Sequence, residues 1–166
     1  MKKIATLLFV LALTLTACTG DQGPAGPPGL DGADGGIITS SAFEIDINFN
    51  AANNFSHKED YGFEVFPSDV TLVYILWEID NGTDVWRLLP QSANFDDGTL
   101  VYNFAFTQTD VRFFLEGTTN LNTLDAKWTQ KAFRVVVIPA DNVDGVDISD
   151  LNLVMKANNI EHFELK

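Results

Sequence analysis

Val70-Thr71-Leu72-Val73-Tyr74-Ile75-Leu76-Trp77-Glu78-Ile79 (VTLVYILWEI) is a nearly continuous apolar run, and Asn81-Gly82 follows it after one residue. Its length suits a helix or a strand buried on both faces, but Val, Thr, Tyr, Ile and Trp favour the strand. Asn-Gly is the strongest short-range hairpin signal, because a type I′ turn needs positive φ at both centres. Val85 to Leu89 supplies the returning strand and Pro90 ends it. This hairpin sets the reading of the chain around it.

Upstream, Phe43-Glu44-Ile45-Asp46-Ile47-Asn48-Phe49 alternates strictly and places four apolar side chains on one face of a strand. Ala51 to Tyr61 reads as a polar loop, and Phe63 to Phe66 as a short strand stopped by Pro67-Ser68-Asp69. Downstream, Asp96-Asp97-Gly98 is a second turn signal. Strands are expected over Leu100 to Thr107, over Val111 to Leu115 and over Phe133 to Ile138 (FRVVVI), the last ended by Pro139. Asp147 or Ser149 is expected to cap a short helix over 150–157, and Ile160 to Leu165 to close the domain as an alternating strand. Short strands with turn signals between them predict an all-β domain over 37–166. The expected fold is an antiparallel β-sandwich, immunoglobulin-like or jelly-roll-like, of about seven to eight strands with one short C-terminal helix.

The 36 residues before this domain read differently. Met1-Lys2-Lys3 is a basic start, and Ile4 to Thr16 carries no charge. A helix of that length reaches about 20 Å, short of the ~30 Å hydrocarbon core of a bilayer. Residues 1–17 therefore read as a secretory signal peptide. Gly20, Gly23, Gly26, Gly29, Gly32 and Gly35 then recur at every third position, with Pro24, Pro27 and Pro28 between them. A collagen triple helix requires that period because only Gly fits at its axis. Five complete triplets form few interchain hydrogen bonds, so residues 18–36 are expected to act mainly as an extended spacer, with a homotrimeric stalk as the alternative. At ~3.1 Å per residue, such a spacer reaches about 50 Å.

Composition excludes several functions. The chain has 166 residues, 46% of them apolar, with 13 Phe, 3 Tyr and 3 Trp, enough for a core. Net charge is −13, becoming −15 once residues 1–17 are removed, and residues 37–166 hold 20 acids against 8 bases. Such acidity disfavours nucleic acid, whose phosphates require Lys and Arg. The single Cys, Cys18, rules out an internal disulfide and a redox pair, and His57 and His162 are far apart in sequence.

Leu15-Thr16-Ala17-Cys18 resembles the lipobox of bacterial lipoproteins. The resemblance implies cleavage between Ala17 and Cys18 and lipid attachment at Cys18, whose two or three acyl chains anchor stably where one binds marginally. Thr19, at the position where Asp favours inner-membrane retention, leans the address toward the outer membrane. The resemblance leaves open whether the domain faces the periplasm or the outside.

The blocks Asp69-Val70…Leu72-Val73-Tyr74…Leu76-Trp77-Glu78, Asp84-Val85-Trp86-Arg87-Leu88-Leu89-Pro90-Gln91 and Phe133-Arg134-Val135-Val136-Val137-Ile138-Pro139-Ala140-Asp141 extend the likeness. With the lipobox and the Gly-X-Y stretch, they resemble a group of uncharacterised bacterial collagen-like lipoproteins. The resemblance implies a fold and an address and carries no catalytic residues. Some members bear the name dihydrolipoamide dehydrogenase. That name is not supported here, because no G-x-G occurs in the chain and the one Cys is the lipid site.

Asp141, Asp144 and Asp147, with Gly145, are the densest oxygen-ligand cluster and a Ca²⁺ candidate, although an EF-hand register would put Ala140 at its first ligand position. Asp96-Asp97 and Glu59-Asp60 are acidic pairs of the kind glycosidases use, each beside a turn where Asp serves the backbone. His57 is expected in an exposed polar loop, without a G-x-S-x-G nucleophile elbow to serve. Trp77 is expected in the core, while Trp86 and Trp128 are the candidates for a sugar-binding platform. The expected function is non-enzymatic: an interaction or structural β-domain held on a tether, with no cofactor. A carbohydrate- or calcium-binding adhesin-type module is the alternative, and a hydrolase with an unrecognised site the third.

Overall fold

The computed structural model describes residues 41–166. The expected signal peptide over 1–17, the expected lipid site Cys18, the Gly-X-Y segment and residues 37–40 lie outside the described residues. The rest is mostly β, in two sheets with two short helices. The strands are β1 (Ser41–Asn48), β2 (Ser56–Asp60), β3 (Asp69–Asp80), β4 (Thr83–Leu88), β5 (Gln91–Phe95), β6 (Gly98–Phe106), β7 (Asp110–Gly117), β8 (Gln130–Pro139) and β9 (Glu164–Leu165). The helices are α1 (Ala126–Thr129) and α2 (Leu151–Ala157). One sheet runs β4-β3-β8-β1-β9 and the other β2-β7-β6-β5. Every pairing is antiparallel except β1 with β9.

The β3–β4 hairpin forms as the sequence dictates. Asn81 and Gly82 have φ of 49° and 82°, so the two-residue turn joins Asp80 to Thr83 with both centres left-handed. A bulge between Leu76 and Glu78 leaves Trp77 without a partner opposite it on β4. β8 pairs with β1 on one side and β3 on the other, the central position that FRVVVI suggested.

Phe43, Ile45 and Ile47 of β1, Val73 and Ile75 of β3, and Phe133, Val135 and Val137 of β8 face the second sheet. Leu100 and Tyr102 of β6 and Val111, Phe113 and Leu115 of β7 meet them. Phe133 reaches across, its ring centroid 5.0 Å from that of Phe113. The opposite face of the five-stranded sheet is also covered: Leu72, Tyr74, Val136 and Ile138 pack under Leu151, Val154 and Ile160. A strand buried on both faces reads as a near-continuous apolar run, which explains β3 and β8, the latter interrupted by Arg134, which pairs with Glu44. The Tyr74 hydroxyl donates to the Ile148 carbonyl at 2.6 Å, fixing the loop before α2 to this sheet.

Several expectations are corrected. The polar stretch read as a loop contains β2, an edge strand paired with β7. Gln91–Phe95 adds the unexpected strand β5. Phe63 to Phe66 is no strand: it crosses from β2 to β3 after Gly62 (φ 76°), although Phe63 and Val65 still pack on the shared core. Asp150, not Asp147 or Ser149, caps α2, accepting from the N–H groups of Asn152 and Leu153. The closing strand shrinks to Glu164–Leu165 and runs parallel to β1. No helix among the described residues is long and apolar enough to cross a membrane.

Candidate functional site

Of the acidic residues singled out in the sequence, Glu59, Asp60, Asp97 and Asp147 are engaged in the fold. Asp147 accepts from the Ser149 hydroxyl (2.7 Å) and N–H (3.0 Å), which holds its carboxyl below the usual aspartate range. Among the described residues no three His, Cys, Asp or Glu side chains are placed together to hold a metal ion, and Asp141, Asp144 and Asp147 form no such group. Asp97 accepts from the Thr119 hydroxyl at 2.6 Å and the Asn120 N–H at 3.2 Å, and those bonds lower its pKa. Asp97 thus ties the β5–β6 turn to the segment after β7.

His57 is not in a loop. It stands on β2 in register with Phe113, an inward-facing residue of β7, and its Nε2 lies 3.3 Å from Glu59 Oε2. Lys166 Nζ lies 3.5 Å from the other oxygen of Glu59 and donates to the Asp60 and Tyr61 carbonyls at 2.6 and 2.7 Å. It also sits 4.4 Å from the Phe43 ring. This side chain lines an open groove of about 560 Å³ together with Tyr61, Phe63, Ile160 and His162. Asp60 meets Lys58, which also reaches Asp110.

The tryptophans divide between two places. Trp86 lies on the outer side of the five-stranded sheet, half-buried against Tyr74 and its neighbours. Arg134 stacks on its ring at 4.1 Å and on Phe163 at 4.6 Å, and donates to Glu44 at 2.7 Å. Trp86 Nε1 is buried without a hydrogen-bond partner among the described residues. The ring borders a shallow polar groove of about 640 Å³ beside Thr83, Asp84, Asp150 and Asn152. Trp86 and Trp128 therefore form no common platform.

Trp128 belongs instead to a cluster at one end of the sandwich. Its ring meets Phe95 edge-on at 5.0 Å and Trp77 at 6.4 Å, and Trp77 meets Tyr102 at 6.2 Å. Edge-to-face geometry suits the ring quadrupoles. The Tyr102 hydroxyl donates to the Trp128 carbonyl at 2.7 Å and anchors α1 to β6. Three cations cover the rings: Arg87 lies 4.7 Å from Trp77, and Lys127 and Lys131 lie 5.2 and 5.7 Å from Trp128. Lys131 is in register with Ile47 of β1 and two residues before Phe133, so it points toward the space between the sheets. Burial, and then the nearby Lys127, lower its pKa. Arg87 has Glu78 at 3.4 Å, whereas among the described residues neither lysine has a carboxylate at ion-pair distance.

Each part of this cluster comes from a local rule. The bulge in β3 frees Trp77 from the hairpin register. Asp125 caps α1 by accepting from the Lys127 N–H, which sets Lys127 and Trp128 on one short turn. β5 brings Phe95, which the sequence reading left out with its strand. The result is an aromatic floor under cations, in a domain whose acids outnumber its bases 20 to 8. Such a surface suits an anion that also offers an apolar face.

No family model matches the chain, and no curated protein or solved structure matches it either. The likeness to collagen-like lipoproteins rests on the residues quoted for it above.

Proposed function

We propose that this chain is a lipid-anchored cell-envelope protein that displays a non-enzymatic interaction or structural β-domain on a collagen-like spacer. The observation that carries the proposal is Cys18, the one cysteine of the chain. It stands directly behind a thirteen-residue uncharged segment and is followed by six glycines in strict three-residue register. In this reading residues 1–17 are removed, Cys18 is acylated, and residues 18–36 hold the domain away from the bilayer as a single extended chain. Thr19 favours the outer membrane as the address.

The sandwich is jelly-roll-like in this proposal. Its support is the nested pairing of β1 with β8 and β2 with β7, one pair in each sheet, which wraps the chain's first strands around its last. Display rather than catalysis is supported by the uses of the acids: Asp97, Glu59 and Asp147 hold hydroxyls, N–H groups or cations of their own fold.

Membrane fractionation of cells expressing the wild type and Cys18→Ser tests the anchor. The wild type is expected in the membrane fraction and the variant released from it; equal membrane retention of the two would refute the anchor. Sedimentation of the detergent-solubilised wild type is expected to give a monomer. A stable trimer would replace the spacer with a triple-helical stalk.

A further inference from the structure

We propose that the end of the sandwich formed by Trp77, Phe95 and Trp128 under Arg87, Lys127 and Lys131 binds a carboxylated saccharide of the uronate class. The inference rests on reading the domain as an interaction module, and names the ligand that module takes. Two like charges, Lys127 and Lys131, share one indole ring without a carboxylate at ion-pair distance among the described residues. Lys131 is half-buried and Lys127 exposed; burial, and then the like charge of Lys127 nearby, oppose charging of Lys131 and lower its pKa. An anion between the two lysines removes that repulsion and gains charge-assisted hydrogen bonds.

The rings decide which anion. A uronate residue carries one carboxylate and an apolar C–H face, so it matches one or two ammonium groups beside one indole. An acidic peptide instead presents repeated charges with little apolar surface to a domain of net −12. Both lysines stand on flexible four-carbon stems, so their ammonium groups swing from the ring to a carboxylate without backbone movement. The indole face they uncover then stacks on the pyranose. Phe95 and Trp77 pack against that indole at interplanar angles of 73° and 72°, which holds its plane while the lysines move.

The experiment titrates the purified full-length protein in neutral detergent with a galacturonate tetramer, following tryptophan fluorescence and equilibrium dialysis. A neutral galactose tetramer and a glutamate pentapeptide are run beside it. The galacturonate tetramer is expected to bind saturably, and each comparison ligand at least about tenfold more weakly. The double variant Lys127→Ala/Lys131→Ala should lose about tenfold in affinity with its melting temperature unchanged, while Lys127→Arg/Lys131→Arg keeps binding. The proposal falls if the uronate does not bind saturably, if the neutral sugar or the peptide binds equally, or if the alanine variant binds like wild type. Any of those results leaves the anchor untouched, because Cys18→Ser fractionation tests that separately.

Discussion

The two sheets share one core and differ on their other faces. In the five-stranded sheet the central strands β3 and β8 are covered twice, by the partner sheet and by α2 with the residues after it, so Val136 and Tyr74 on the far side are fully buried. The four-stranded sheet is covered once. Its far side carries Val101, Asn103, Arg112 and Glu116, half-buried or exposed, with Arg112 lying over Phe114 at 5.1 Å. The contrast explains the sequence: doubly covered strands are nearly continuous in apolar residues, singly covered strands alternate, and edge strands need neither pattern.

Substitutions break or sharpen this contrast. Phe133 is 1% exposed and belongs to the core both sheets share, so Phe133→Ala should cost about 3–5 kcal/mol and lower the melting temperature of the domain as a whole. Chemical denaturation should show one cooperative transition; two separated transitions would mean the sheets do not share a core.

A pair of matched substitutions compares the far faces. Val136→Asn buries an amide without partners and should cost about 3 kcal/mol, whereas Val101→Asn on the singly covered sheet should cost under about 1 kcal/mol. Equal costs would contradict the double covering.

Gly117 tests the join between β6 and β7. Its φ is 138°, and a Cβ there would stand 1.9 Å from the Thr99 carbonyl oxygen, so the backbone must move. Gly117→Ala should cost about 2 kcal/mol, read as a lower denaturation midpoint.

The smallest expected effect is the clasp at Asp97. Its carboxyl is held below the ordinary value of 3.8 by the Thr119 hydroxyl first and the Asn120 N–H second. A lowered native pKa means that the stabilisation is complete above the unfolded pKa and is lost as pH falls through the native one. The melting temperature of the wild type should therefore exceed that of Asp97→Asn at neutral pH, and the gap should close in acid. A gap that widens in acid would reverse the assignment.

The same contrast sets what was legible in the sequence. β3 and β8 could be read because covering on both faces favours apolar residues on both, and β1, β6 and β7 because one covered face enforces alternation. β2 (SHKED) and β5 (QSANF) escaped because they are edge strands. The inward-facing His57 and Glu59 satisfy each other and Lys166, a solution that depends on a residue more than a hundred positions away. The aromatic cluster was half legible. Trp128 stood out as a candidate for a sugar-binding platform, but Trp77 and Phe95 reach it only through a bulge and an edge strand that local spacing does not announce.

The proposal assigns the protein's hold on the membrane to one residue, Cys18. The intact mass and N-terminal sequence of the mature protein, isolated from a bacterial membrane, test it most directly. The predicted result is a chain beginning at Cys18 whose mass exceeds that of the polypeptide by two or three acyl chains with their glyceryl group. A chain with Cys18 present as a free thiol and no added mass would contradict it.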